Sequence, residues 1–365
     1  MKVLIIGCGP AGLACAEHIL AQSKFDVTVV ERKRSVGENP RCAGGISRWM
    51  MEKAGVSIPQ SSIVATLRSV RIHAPNMKYW ELKGDEDYGY VLNRELFEQT
   101  MAERVEGLGG KLVLGHSASI KDLEFWQSQY DYIVGADGPV SVVRQWLGLF
   151  LFGSLDTHFG VQKTITMDYY PQDTIELYFG EKVAPEGYAW IFPAGDGLVR
   201  IGLGVPVWRG WRAINLLESF IQRQVRDYKE VRSVAKQIPT AKMPETGVYG
   251  KVVLVGDALP STDPLTGGGI CQGIASGKAA AQAIVEGSLA NYDYYISWLR
   301  KQNNRRYRLK KVLYAFSDEN LNELVDALHG FNPKSFSLGK ELRRGVIYLL
   351  LRKPRLLRKF FRYLR

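Results

Sequence analysis

The 365-residue sequence predicts an α/β fold of two domains, α+β in overall layout. It should hold a mostly parallel sheet built from discontinuous segments, an antiparallel sheet, and a helical C-terminal segment. Three observations support this. Apolar strand-like runs ending in tight Gly-containing turns recur far apart, at Lys2–Ile6, Tyr130–Gly138 and Lys251–Asp257. From about Thr157 to Val205 strand signals dominate, with Gly195-Asp196-Gly197 reading as a hairpin turn between Tyr188–Pro193 and Leu198–Gly204. Beyond about Asn291 the pattern is helical throughout. A chain of this length can form two domains around a deep cleft.

The elements follow in order. An apolar strand, a Gly-rich turn, a helix opening near Pro10 and a second strand at Asp26–Val30 make a βαβ unit. Residues from about Thr66 to Trp80 alternate as exposed antiparallel strands do, and Asn93–Gly107 reads as an amphipathic helix. The runs at Tyr130–Gly138 and Lys251–Asp257 return the chain to the first sheet, and a small-residue helix covers Gly269–Glu286. The expected division is 1–60, 90–150 and 245–290 for a nucleotide-binding domain, 61–89 and 151–244 for a substrate domain, and 291–365 for the helical segment.

Composition excludes several classes. With 46% hydrophobic and 23% charged residues, the chain is neither disordered nor fibrous. Of its 48 Lys and Arg and 37 Asp and Glu, eleven and one fall between Phe331 and Arg365. The body before them is left with 37 basic and 36 acidic residues, so all but one unit of the net charge of +11 belongs to the tail. Nucleic-acid binding is disfavoured, because no stacking aromatics accompany that charge. Four cysteines without paired spacing suit a reducing cytoplasm, and the five His residues show no metal-ligand spacing. The immediate strand at Lys2–Ile6 predicts no secretory leader, and no run of about eighteen uncharged apolar residues predicts a spanning helix.

Gly7-Cys8-Gly9-Pro10-Ala11-Gly12 ends the first strand and opens the first helix, so backbone N–H groups and the helix dipole face a pyrophosphate, as in a Rossmann-type domain. Glu31, with Arg32 beside it, closes the second strand where a carboxylate accepts from an adenosine ribose. This fingerprint fits NAD and FAD alike. Later motifs favour FAD. Gly256-Asp257 suits a carboxylate accepting from ribityl hydroxyls, and Pro264-Leu265-Thr266-Gly267-Gly268-Gly269-Ile270 leads into a helix start that would stabilise a reduced flavin's anionic edge.

These motifs, with Gly135-Ala136-Asp137-Gly138 followed by Ser141 and Arg144, resemble the three signatures of FAD enzymes related to para-hydroxybenzoate hydroxylase. The resemblance implies that Asp137 and Gly138 bind the cofactor, and that Arg94 lies near its ribityl and phosphate groups. Within that superfamily the sequence resembles the geranylgeranyl reductases, of the archaeal digeranylgeranylglycerophospholipid reductase type. Their YxWxFP signature is matched by Tyr188-Ala189-Trp190-Ile191-Phe192-Pro193, followed after eight residues by Gly202-Leu203-Gly204. Pro40-Arg41-Cys42-Ala43-Gly44-Gly45-Ile46-Ser47 resembles the family's cysteine-bearing loop, which places Cys42, Ala43 and Gly44 beside the flavin.

Alternation puts Tyr188, Trp190 and Phe192 on one strand face, suited to a polyene, while sheet core is the plainer reading of the same aromatics. Gly202 and Gly204 on the partner strand would leave room for a chain or ring. Cys42 is the candidate catalytic side chain, shaping the pocket or relaying a proton, against a plain role as a small hydrophobe. Cys8, Cys15 and Cys271 are better explained by packing.

The resemblance implies hydride transfer from the reduced flavin to isolated C=C bonds of a polyprenyl chain on a lipid, quinone or chlorophyll-type precursor, with a proton from solvent or near Cys42. A ferredoxin-like protein or NADPH would supply electrons, since no second GxGxxG follows a strand. One alternative is a flavin monooxygenase or halogenase; Tyr188 and Phe192 depart from the halogenase WxWxIP segment. Another is a non-catalytic flavin-binding membrane protein. In the tail, Leu356, Leu357, Phe360, Phe361 and Leu364 lie on one helical arc and Arg355, Arg358, Lys359, Arg362 and Arg365 on the other. This pattern favours peripheral contact with the anionic inner face of the membrane over docking on the protein body.

Overall fold

A computed structural model describes residues 1–83, 86–149 and 156–331. Val3-Leu4-Ile5-Ile6 is buried on both faces, as a central parallel strand requires, and forms β1 (Lys2–Ile6). Pro10 sits in the first turn of α1 (Pro10–Gln22), where its missing N–H costs no helical bond. β2 (Asp26–Glu31) follows, then β3 (Gly45–Ser47) and α2 (Arg48–Lys53), β4 (Ile63–Leu67), β5 (Ser69–His73), β6 (Tyr79–Lys83) and β7 (Gly89–Leu92). The Asn93 side chain accepts from the Leu96 N–H and so starts α3 (Arg94–Gly107). Next come β8 (Lys111–Leu114), α4 (Ile120–Trp126), β9 (Tyr132–Gly135) and α5 (Val142–Trp146).

Four long or paired strands follow: β10 (Thr157–Thr166), β11 (Thr174–Tyr178), β12 (Tyr188–Gly195) and β13 (Leu198–Pro206). A 3-10 turn at Val207–Arg212 leads into α6 (Ala213–Gln224), then β14 (Glu230–Pro239), β15 (Val248–Tyr249) and β16 (Val252–Leu254). The helices α7 (Ile270–Val285), α8 (Ala290–Tyr295), α9 (Ser297–Tyr314) and α10 (Asp318–Leu328) complete the described chain.

A six-stranded sheet runs β15-β16-β9-β1-β2-β8, parallel except for β15 at its edge. The strands that the sequence separates most widely are thus neighbours, with Ile6 opposite both Val30 and Gly135. A seven-stranded sheet runs β14-β10-β13-β12-β11-β5-β6, antiparallel except between β5 and β11. A small sheet, β3-β7-β4, is made of strands that flank β5 and β6 in the sequence.

Two expectations change. The strand expected over Lys251–Asp257 ends at Leu254, because Gly256 takes a φ of +61° and Gly256–Ala258 curls into a 3-10 turn. The alternating stretch from Thr66 divides: β4 pairs with β7 in the small sheet while β5 and β6 join the large one, and Leu67 and Val70 are buried rather than exposed. The amphipathic tail at Leu356–Arg365 lies outside the described residues. Among the described residues no helix is long and apolar enough to cross a membrane.

Candidate active site

The turn between β1 and α1 is shaped by close backbone approach. Gly7 has a φ of +106°, which only glycine adopts freely, and a Cβ on Gly12 would overlap the Gly7 carbonyl oxygen. In front of the helix, by contrast, a Cβ on Gly9 would meet nothing within 4 Å. No side chain caps α1 at Gly9, so its first N–H groups front open space. Glu31 reaches back from the end of β2: its Oε2 accepts from the Cys8 N–H at 2.9 Å and its Oε1 from the Lys33 N–H at 3.0 Å. Arg32 is exposed beside it, Pro10 is half-buried, and Ala11 is buried where α7 lies against α1. A Cβ on Gly277 would overlap the Ala11 carbonyl, so small residues of α7 permit that contact.

At the end of β9, Asp137 Oδ2 accepts from the N–H groups of Val142 at 2.6 Å and Val143 at 3.2 Å, and burial raises its pKa. Gly138 beside it has a φ of +83°, and a Cβ there would meet nothing within 4 Å. At the end of β16, buried Gly256 donates to Ser276 Oγ at 2.9 Å, and Asp257 accepts from Thr262 Oγ1 at 2.6 Å and Lys236 Nζ at 2.7 Å. Burial opposes the Asp257 charge, but Lys236 and Thr262 outweigh it and hold the carboxyl below its usual pKa.

The loop before α7 folds around buried Asp263, whose Oδ1 accepts from the Leu265 and Thr266 N–H groups at 3.0 and 3.3 Å and whose Oδ2 pairs with Arg306 of α9. Pro264 is buried and Gly267 has a φ of +69°. No side chain caps α7 at Gly269, and Ile270 is buried as its first residue. A Cβ on Gly269 would stand 3.2 Å from Asp257 Oδ1, so this helix start and the carboxylate share one spot.

The aromatic strip of β12 faces these motifs. The Tyr188 hydroxyl donates to the Thr266 carbonyl, and burial pushes its pKa up. Trp190 Nε1 donates to Gln162 Oε1 at 3.1 Å, while Gln162 Nε2 donates to the Cys42 carbonyl at 3.4 Å. Phe192 packs so tightly over Gly45 that a Cβ there would overlap its ring. Alternation turns Ala189, Ile191 and Pro193 to the other face, where Ala189 and Ile191 pack with Leu217 and Phe220 of α6. Pro193 therefore does not join the aromatic strip.

Gly202 and Gly204 admit a ring, but it is the protein's own. A Cβ on Gly202 would stand 2.6 Å from Trp190 Cζ2, and one on Gly204 3.7 Å from Trp190 Cζ3. The indole thus fills the space above Gly202, while above Gly204 it makes only an ordinary contact.

Cys42 is half-buried at the centre of this cleft. The Gly44 N–H donates to its Sγ at 3.3 Å, and Arg200 Nη1 donates to the Ala43 and Leu92 carbonyls at 2.7 and 3.0 Å, tying the loop to β13 and β7. Gly44 has a φ of +82° and leaves space for that guanidinium. Arg94 of α3 pairs with buried Glu98; burial opposes its charge, yet Glu98 and Cys42 hold its pKa above the ordinary arginine value. Its Nε is buried without a hydrogen-bond partner among the described residues.

The structure thus ties Glu31 to the glycine loop, the Cys42 loop to Trp190 through Gln162, Tyr188 to the loop before α7, and Asp257 to Lys236. The sequence reading missed Gln162, Arg200, Lys236 and Arg306; a basic or amide side chain on a β-strand or helix carries no local signal of its partner. Cys8, Cys15 and Cys271 are buried, and burial pushes the Cys8 and Cys271 thiols up to about 12, consistent with packing roles. Among the described residues no His, Cys, Asp and Glu cluster could hold a metal. A cavity of about 490 Å³ beside Tyr170, Glu176 and Gln224 lies on the α6 side of the sheet, away from this cleft.

The fold is shared with solved flavoproteins. The crystal structure of a geranylgeranyl bacteriochlorophyll reductase-like protein from Thermoplasma acidophilum superposes with a TM-score of 0.86, at 22% identity, covering 99% of this chain and 98% of that one. A flavin-dependent halogenase superposes with a TM-score of 0.64, at 18% identity, covering 97% and 71%. The family model described as geranylgeranyl reductase catalytic domain matches residues 156–239, and that described as lycopene cyclase protein matches 2–189, ending inside β12. Fold and site define an FAD-dependent oxidoreductase.

Relatives spanning the whole chain narrow the class. Digeranylgeranylglycerophospholipid reductase 3 of Methanosphaera stadtmanae is 30% identical, covering 98% of this chain and 98% of its own. The digeranylgeranylglycerophospholipid reductase of Methanosarcina acetivorans is 29% identical over 92% of this chain and 90% of its own. The chain belongs to the geranylgeranyl reductase family.

Proposed function

We propose that this enzyme saturates isolated C=C bonds of geranylgeranyl chains carried on a glycerophospholipid, the substrate for which its relatives are named. The supporting observation is that the aromatic strip of β12 shares a cleft with the Cys42 loop and the uncapped start of α7. On this reading 1–60, 90–150 and 245–290 bind FAD, 61–89 and 151–244 bind substrate, and 291–365 form the helical segment.

The residues fit the cofactor. The open cradle at Gly9 and the uncapped start of α1 would hold the pyrophosphate, and Glu31 with Arg32 the adenosine ribose. Arg94, Asp137 and Gly138 would meet the middle of the molecule, Asp257 its ribityl chain, and Gly267–Ile270 its carbonyl edge. FAD, once reduced, supplies the hydride. Cys42 Sγ, beside Arg94, would hold the proton for the second carbon. Tyr188, Trp190 and Phe192 exclude water, and their ring faces favour cationic character in the alkene being protonated.

A ferredoxin-like protein or NADPH is proposed as the electron source. The basic tail would hold the enzyme on the anionic inner face of the membrane. Its removal, by deleting Arg352–Arg365, is expected to leave FAD retention intact and release the protein from anionic vesicles. Unchanged sedimentation with vesicles would overturn that role.

The central test is to reduce the purified flavoprotein anaerobically with dithionite and add digeranylgeranylglycerophospholipid. Each saturated bond adds one H₂ to the product mass. Recovery of only unchanged lipid there, with oxygenated or halogenated products appearing in air, would overturn the reductase reading.

A further inference from the structure

The turn after β13 is built unlike the rest of the surface. Trp208, Trp211 and Ile214 are 48%, 80% and 60% exposed, although α6 buries Ala213, Leu217, Phe220 and Ile221 beneath them. Trp208 and Trp211, three apart, share one face of the 3-10 turn at Val207–Arg212, and Ile214 follows in the first turn of α6. Val207 adds a further exposed apolar side chain. Two arginines flank this ridge: the Arg209 guanidinium lies 4.3 Å from the Trp208 ring and that of Arg212 5.5 Å from the Trp211 ring. Arg209 is bridged to Glu181 and Glu186, but Arg212 has no carboxylate in salt-bridge range among the described residues. No acid occurs between Pro206 and Leu217.

We infer that this ridge is a membrane-interface anchor, seating in the headgroup layer of an anionic lipid bilayer. Tryptophan is favoured at that depth because its ring is apolar while its N–H can stay hydrated, and an unpaired guanidinium beside it meets lipid phosphate. A protruding ridge of two indoles and an isoleucine suits a deformable lipid layer, and Arg212, which meets no carboxylate among the described residues, selects anionic lipid. The anchor is separate in sequence from the C-terminal tail.

Its position links it to the cleft. Gly210 packs on Phe159, and the strand register pairs His158 with Pro206 and Tyr188 with Gly204, so the ridge stands at the sheet end that carries Tyr188. Seating it would bring the Tyr188 end of the aromatic strip to the bilayer. That consequence for substrate delivery rests on the lipid-reductase reading; the anchor itself does not.

The test uses the full-length holoprotein, its Trp208→Phe/Trp211→Phe variant and a Trp208→Ser/Trp211→Ser/Ile214→Ser variant. On phosphatidylglycerol vesicles carrying acyl-chain bromines, the wild type should show tryptophan quenching that the double Phe variant largely loses. The triple Ser variant should bind those vesicles about tenfold or more weakly, and Arg212→Gln should reduce the preference for anionic over phosphatidylcholine vesicles. All should turn over detergent-dispersed lipid as the wild type does. Equal quenching in wild type and double variant, or unchanged affinity in the triple variant, overturns the anchor. So does blue-shifted emission from Trp208 and Trp211 without vesicles, which would show the ridge covered by residues 332–365 or a second copy. Failure of every form to reduce the lipid would instead overturn the substrate reading and leave vesicle binding to be judged alone.

Discussion

Lys236 Nζ lies 2.7 Å from Asp257 Oδ2 and joins the edge strand of the seven-stranded sheet to the end of a strand in the parallel one. Asp257 keeps its charge in a buried place because Lys236 and Thr262 both serve it, and Lys236 in turn holds a raised pKa despite burial because Asp257 outweighs the desolvation. The pair therefore fixes a carboxylate beside the start of α7, where the proposed ribityl contact falls.

Replacing Lys236 by Met should uncover this dependence. A fully buried pair broken on one side costs several kcal/mol, but Lys236 is partly solvated, so about 1–2 kcal/mol is expected, seen as weaker FAD binding in fluorescence titration of the apoprotein. The Lys236→Met/Asp257→Asn double variant should recover part of that loss. Additive losses would show that the two side chains act independently.

Gly9 and Gly12 separate the two demands on the glycine loop. Gly9→Ala meets open space and a φ of −86°, so the protein should fold with unchanged urea stability yet bind FAD about tenfold or more weakly. Gly12→Ala overlaps the Gly7 carbonyl and should destabilise the fold itself. Wild-type FAD affinity in Gly9→Ala would remove the pyrophosphate from this loop.

Trp190 fills the space over Gly202, touches that over Gly204, and is only 8% exposed. Trp190→Ala should cost about 3–5 kcal/mol in denaturant unfolding, combining lost burial, a cavity and an unpaired Gln162. A loss below about 1 kcal/mol would mean that the indole is not the packing element described above.

His158 is buried against Thr240, Glu186 and Tyr314, with Lys310 and Asp156 nearby, and burial lowers its pKa from 6.5 to about 4. The unfolded chain then binds a proton that the folded one refuses, so this group destabilises the fold as pH falls from about 6.5 to about 4. The full effect is about 3 kcal/mol. His158→Gln should flatten the stability profile in that window; an unchanged slope would assign the acid sensitivity elsewhere.

The glycine loop and the aromatic strand were legible because their features are local. Gly7 to Gly12 must turn within a few residues, so the glycines announce the backbone conformation. The alternation at Tyr188, Trp190 and Phe192 likewise follows from strand geometry alone. That the Trp190 indole lies across Gly202 was not legible, because alternation says which face a side chain takes but not whose ring lies across it.

What the sequence by itself determined was the FAD-type βαβ start, the return of two distant strands to one sheet, and the aromatic face of β12, all consequences of short-range backbone sterics and periodic burial. Only the tertiary structure decided that Lys236 meets Asp257, that Arg200 ties down the Cys42 loop, and that Trp190 fills the space over Gly202. Long flexible side chains find partners from whichever strands the packing of separate sheets brings near, and no local pattern encodes that approach.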